Sequence, residues 1–167
     1  MKILYLHGLE SKLSDVKRQV LENFGQVTAP DMDYYNNPKI FEELTLLQNK
    51  HNFDVVIGSS MGGFMSYYFA NTVKCPALLF NPALQQTKVV QNIPALNPTN
   101  ASPLLHFTLG GLDDVVSAND TLKWLSENRA ATTDYKISLH KDLKHQIKYD
   151  IFKSEIEEFF RQLNLRP

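Results

Sequence analysis

Residues 54–64 read DVVIGSSMGGF, and within them Gly58-Ser59-Ser60-Met61-Gly62 matches the pattern G-x-S-x-G. A serine hydroxyl is a poor nucleophile unless a base takes its proton and hydrogen-bond donors receive the oxyanion that its attack creates. The pattern has chemical meaning only where a strand runs into it and a helix leaves it. The serine then stands in a sharp turn between small neighbours, with a helix N-terminus behind it that favours developing negative charge. Apolar 54–58 supplies the strand and 61–73 the helix, so Ser60 is the candidate nucleophile. A phosphate-binding loop would use glycines in a similar way. This segment lacks the lysine of G-x-x-x-x-G-K-[ST] and the spacing of G-x-G-x-x-G.

The partners of such a serine follow in the order acid, then histidine. GGLDDVVS (110–117) offers the acid after an apolar segment. Asp113 fits a G-x-x-D-x-x-V setting through Gly110 and Val116, and Asp114 beside it is the alternative. HKDLKHQIKYD (140–150) offers the base: His145 lies in a loop ahead of a helix, whereas His140 ends a strand and reads as structural. Two backbone N–H groups should hold the oxyanion, that of Met61 and that of Leu9, just past His7-Gly8. His7, His51 and His106 have structural explanations, and no ligand spacing for zinc appears. Asp31 and Asp33 make a D-x-D pair without partner ligands and read as a polar turn.

Strands and helices must bring these distant residues together. KILYL (2–6), QVTAP (26–30), DVVIG (54–58), ALLFNP (77–82), LLHFTLG (104–110) and DYKISLH (134–140) read as strands, the last with Tyr135, Ile137 and Leu139 alternating. Between them, 14–25, 38–51, 61–73, 117–128 and 149–163 carry apolar residues at helical spacing. Ser14 and Gly25 are placed to cap the first helix, Pro38 to open the second, and Ser117 with Asp120 to form a capping box. Regular alternation of this kind implies a mostly parallel sheet covered on both faces. The chain reads as one domain over 1–167, with the proline-bearing stretch 83–103 long enough to form a small flap at a site.

The 167 residues are 43% apolar and 21% charged with a net charge of −1, which gives no push towards nucleic acid or a membrane. No apolar run reaches the roughly 20 residues that cross a bilayer. The lone Cys75 cannot form an internal disulfide, and with no signal-peptide pattern at MKILYLHG a cytoplasmic setting is expected.

A strand followed by His-Gly, then G-x-S-x-G, a late Asp and a later His resembles the α/β-hydrolase superfamily. LYLHGLESKLSDVK (4–17), VVIGSSMGGFMSYYFA (55–70) and LLFNPAL (78–84) are similar to the small, YqiA-type bacterial esterases, and the similarity runs through essentially the whole chain. Its most specific parts are GSSMGG and Asn81-Pro82-Ala83. The family often has glycines just ahead of the histidine, where this chain has Leu143 and Lys144. The resemblance implies a minimal α/β-hydrolase fold, a doubly wound six-stranded sheet in the order 2-1-3-4-5-6. It gives the catalytic roles to Ser60, Asp113 and His145 and the oxyanion roles to Leu9 and Met61.

The expected reaction is hydrolysis of a carboxylic ester or thioester through an acyl-enzyme on Ser60, with no cofactor and no metal. The expected partner is a small-molecule ester or thioester, with no nucleic acid and no membrane; oligomeric state is open. A flap this small points to an open site and short acyl groups. Tyr34, Tyr35, Leu84 and Ile93 are the candidate lining residues. Lys136, Lys141, Lys144 and Lys148 flank the base and read as a solvated face, with attraction of an anionic leaving group such as coenzyme A as the other reading. Two further alternatives remain: the same scaffold binding a ligand without turnover, or the same triad acting on an amide, a carbon–carbon bond or in perhydrolysis.

Overall fold

Short runs rich in Val, Ile, Leu and Phe form the strands, and amphipathic runs between them cross back over the sheet as helices. The computed structural model of the chain describes residues 1–85, 89–96, 103–128 and 134–164. The elements are β1 (Lys2–Leu6), α1 (Asp15–Glu22), β2 (Gln26–Thr28), α2 (Ile40–His51), β3 (Val55–Ser59), α3 (Met61–Val73), β4 (Ala77–Phe80), β5 (Leu104–Gly110), α4 (Ala118–Asn128), β6 (Asp134–His140) and α5 (Tyr149–Asn164). The six strands make one sheet in the order β2-β1-β3-β4-β5-β6, every pair parallel.

Strand periodicity divides the core in two. Leu4, Leu6, Val56, Leu79, Leu105 and Phe107 face the side covered by α2, α3 and α4. Ile3, Tyr5, Val55, Ile57, Leu78 and Phe80 face α1 and α5. Both faces are covered, so β1, β3, β4 and β5 are buried nearly end to end and read as mostly apolar runs rather than as alternation, with His106 and Thr108 as buried polar exceptions in β5. A helix of eight residues such as α1 is marginal alone. Burial of Val20 and Leu21 against the α5 side holds it, each contributing roughly 1.5–3 kcal/mol.

Some local expectations are corrected and others hold. Ser14 sits at the cap position of α1, yet its side chain makes no cap hydrogen bond, and the helix ends at Asn23 before Gly25. Gly25 serves instead where the chain passes Met1: a Cβ there would strike the Met1 carbonyl, which accepts from Gln26 N–H at 2.8 Å. Helix α2 starts at Ile40, past Pro38, because the Asn37 side chain takes the Lys39 N–H at 2.9 Å. Ser117 does cap α4, its Oγ accepting from Asp120 N–H at 3.3 Å. In β6, Ile137 and Leu139 are exposed, since this strand forms the sheet's edge.

Of the 83–103 stretch, residues 86–88 and 97–102 lie outside the described residues. Leu84 and Val89 are buried in the core, and Asn92 N–H donates to the Pro38 carbonyl at 2.8 Å. The Gln91 side chain donates to the Tyr34 and Asn37 carbonyls at 3.0 and 2.9 Å. Residues 89–96 are thereby tied to the start of α2.

Candidate active site

Ser60 stands between β3 and α3 at φ 54° and ψ −117°, a left-handed conformation that an L-residue holds only when its surroundings enforce it. The surroundings are identifiable. Ser60 N–H donates to the Phe80 carbonyl at 2.9 Å, and the Ser60 carbonyl accepts from Phe64 and Ala83 N–H at 3.0 and 3.1 Å. The flanking glycines serve close approach rather than their own backbone angles. A Cβ on Gly58 would strike the Gly62 carbonyl, and one on Gly62 would strike the carbonyls of Leu6 and His7. The β1 loop therefore lies directly against the turn.

The structure brings His145 and Asp113 to Ser60. The imidazole Nε2 is 3.1 Å from Ser60 Oγ and Nδ1 is 2.8 Å from Asp113 Oδ2. A carboxylate can only accept from Nδ1–H, so the neutral ring presents Nε2 as an acceptor to the Ser60 hydroxyl. Asp113 is fixed in turn: its Oδ1 accepts from Val115 and Val116 N–H at 2.9 and 2.8 Å, and its side chain is fully buried. Asp114 is exposed. His140 lies elsewhere, its Nε2–H donating to Glu155 Oε1 at 2.7 Å.

The loops carrying acid and base are joined by backbone, Leu112 N–H donating to the Leu143 carbonyl at 2.9 Å. Leu143 is buried in the α5-side core, which gives this position ahead of His145 a packing role. Asn81, at φ 41° and 1% exposed, links all three chain segments. Its Nδ2 donates to the Lys144 and His145 carbonyls at 3.2 and 3.1 Å, and its Oδ1 accepts from Gly110 N–H at 2.8 Å. Pro82 next to it packs on Gly63.

Met61 opens the first turn of α3, where backbone N–H groups have no acceptor within the helix itself. Leu9 follows Gly8, where a Cβ would sit 3.1 Å from that of Ser60. His7 fixes this loop: Nδ1 is 2.7 Å from the Gly8 carbonyl and Nε2 accepts from Met32 N–H at 2.9 Å. Tyr34 adds a bond from its hydroxyl to the His7 carbonyl at 2.9 Å.

Ser60 and His145 open onto a cleft of about 660 Å³ whose other walls include Leu9, Lys12, Lys17 and Lys148. The candidate lining residues lie outside it. Tyr34 and Tyr35 border a neighbouring cleft, Leu84 is core, and Ile93 packs beside Phe41 and Pro94. The reason is the path of 89–96 along α2, on the opposite side of the sheet from the α1 and α5 walls. Of the lysines near the base, Lys136 pairs with Glu158 and Lys141 with Asp142, and only Lys148 reaches the cleft. Lys17, unremarked in the sequence, lines it too, and burial lowers its pKa. Cys75 is no rival nucleophile: burial pushes its thiol up to about 12.

Sequence reasoning singled out His7-Gly8 and Asn81-Pro82-Ala83 without finding what the side chains hold. A polar residue directly after an apolar strand, ahead of a proline, was the available signal for Asn81. For Lys17 there was none, because a lysine on an amphipathic helix normally faces water.

Solved structures share this fold. An alpha/beta-superfamily protein from Xanthomonas campestris pv. campestris superposes with a TM-score of 0.72 at 16% identity, over 96% of this chain and 98% of its own. Est1E from Butyrivibrio proteoclasticus gives 0.69 at 12%, over 99% and 88%. Alpha/beta hydrolase domain-containing protein 10 from mouse gives 0.69 at 13%, over 97% and 90%. At these identities the likeness is one of fold. The model of the uncharacterised protein family UPF0227 matches residues 2–100, more than half of the chain. The chain belongs to that family.

Proposed function

We propose that the protein is a serine hydrolase cleaving carboxylic esters or thioesters of short acyl chains, in a single domain spanning 1–167. The observation that carries this reading is the continuous line from Asp113 Oδ2 through His145 to Ser60 Oγ, at 2.8 and 3.1 Å. His145 Nε2 takes the hydroxyl proton as Ser60 Oγ bonds to the substrate carbonyl carbon. Asp113 stabilises the imidazolium without accepting its proton. The N–H groups of Met61 and Leu9 are assigned to the tetrahedral oxyanion. Collapse expels the alcohol or thiol, protonated by His145, and leaves an acyl-enzyme. Water, deprotonated by His145, then releases the acid and restores Ser60.

The test is a panel of p-nitrophenyl esters of graded chain length, with thioesters and amides alongside. Turnover highest on short esters or thioesters, and abolished in Ser60→Ala, is the expected result. Turnover that survives Ser60→Ala contradicts it. No turnover on any substrate, with Ser60 also unreactive, favours a ligand-binding scaffold instead.

A further inference from the structure

Two clefts meet at Leu9, Ser11 and Lys12, and they differ in charge. The outer one, of about 690 Å³, is lined by Glu10, Asp31 and Asp33. The one holding Ser60 and His145 is lined by Lys12, Lys17 and Lys148 and, among the described residues, by no carboxylate. Asp113 is fully buried behind His145 and is not part of the lining, its oxygens taken up by His145 and by two backbone N–H groups. Lys12 is paired with Asp31 at 2.6 Å, on the side of the outer cleft.

The positive charge facing Ser60 therefore comes from Lys17 and Lys148. Lys17 is half-buried, with Nζ donating to the Ile147 carbonyl at 2.8 Å and lying 5.1 Å from the centre of the Phe152 ring. A carbonyl and a ring face satisfy part of an ammonium group's bonding without cancelling its charge. Lys148 is exposed at the rim and forms no ion pair among the described residues. A solvated helix start explains Lys148 alone; it does not explain a second cation packed into the wall and bonded to the Ile147 carbonyl, two positions after His145. Concave walls focus such a field on whatever occupies the cleft.

Resting on the serine-hydrolase reading above, we propose that this cleft selects an ester bearing a carboxylate or phosphate a few atoms from its scissile carbonyl, with Lys17 and Lys148 binding that anion. The hydrolytic step is unchanged; the anion contributes binding and orientation.

Two matched pairs place the charge on either side of the scissile bond: mono-p-nitrophenyl adipate against p-nitrophenyl hexanoate, and 4-acetoxybenzoate against its methyl ester. At low ionic strength the expected kcat/KM favours the anionic member of at least one pair by roughly tenfold, with the preference shrinking as salt is added. Which pair shows it tells whether the anion belongs to the acyl or the alcohol part. The anionic-to-neutral ratio should fall towards one in Lys148→Gln and below one in Lys148→Glu, with Lys17→Gln as the second variant. Calorimetric binding of 4-acetoxybenzoate and its methyl ester to the Ser60→Ala protein gives the same comparison without turnover. It therefore separates a failure of this proposal from a failure of the hydrolase reading. No preference for the anion in either pair and in binding, or a preference that survives both lysine substitutions, overturns the proposal.

Discussion

The Asn81 carboxamide donates to the His145 carbonyl at 3.1 Å, while the carbonyl of Ser60 accepts from the N–H of Ala83 two residues further on. One short segment after β4 thus holds the backbone of both ends of the proposed proton path. Asn81→Gly keeps the backbone freedom that φ 41° requires and removes the side chain, leaving the Lys144 and His145 carbonyls and the Gly110 N–H without it. The expected cost is about 2 kcal/mol of stability by denaturant unfolding, with kcat falling by roughly 100-fold and KM by much less. Loss of stability with unchanged kcat would show that Asn81 does not position the histidine.

Asp113 and Asp114 are adjacent in sequence and opposite in environment, one fully buried against His145 and the other exposed. Asp113→Asn should lower kcat by about 10³–10⁴, because an amide facing Nδ1 favours the wrong tautomer. Asp114→Asn should stay within about threefold of the parent. Steady-state kinetics on one activated ester decides the matter, and a damaging Asp114→Asn reassigns the acid.

Gly62 lies where a methyl group would strike the carbonyls of Leu6 and His7. Neither is a flexible side-chain end, so the β1 loop must move. Gly62→Ala is expected to cost roughly 2–3 kcal/mol and to slow turnover of short esters by displacing Leu9. A stable Gly62→Ala protein with full activity would remove Leu9 from the oxyanion assignment.

Much of this was legible in the sequence because local signals agreed with global ones. The bounds of β1, α3, β5 and β6 could be read from apolar runs ending at Gly or at polar residues. Ser60 was legible because a strand, a turn and a helix all had to meet there. The acid was ambiguous because the two aspartates are adjacent; the N–H groups of Val115 and Val116 that hold the Asp113 carboxyl exist only in the folded loop. The walls of the cleft were not legible. They depend on which face of the sheet each loop returns to, and apolar 89–96 returned to α2 rather than over Ser60. Alternation of Ile137 and Leu139 marked the strand but not its edge position, which leaves both exposed.

Glu155 lies between two histidines, with His106 Nε2 at 2.9 Å from Oε2 and His140 Nε2 at 2.7 Å from Oε1. Burial alone would raise its pKa. Hydrogen bonds from His106 and His140, the charge of His106 and a bond to Ser138 outweigh it and hold the carboxyl down at about 2, from an ordinary 4.5. A carboxylate lowered in this way stabilises the fold above its ordinary value and loses that contribution as pH falls from about 4.5 to about 2. The contribution is roughly 2–3 kcal/mol. Urea unfolding across that range should show the wild-type protein losing this much more than Glu155→Gln. Parallel curves would assign the acid sensitivity to other groups.

In the proposed reaction the Ser60 hydroxyl depends on His145 for its reactivity, and intact-protein and peptide mass spectrometry after brief exposure to a fluorophosphonate reads that dependence. One covalent adduct on the peptide containing Ser60, absent in Ser60→Ala and formed at least 100-fold more slowly in His145→Ala, is the result expected. An unmodified Ser60, or labelling at the same rate without the imidazole, would contradict it.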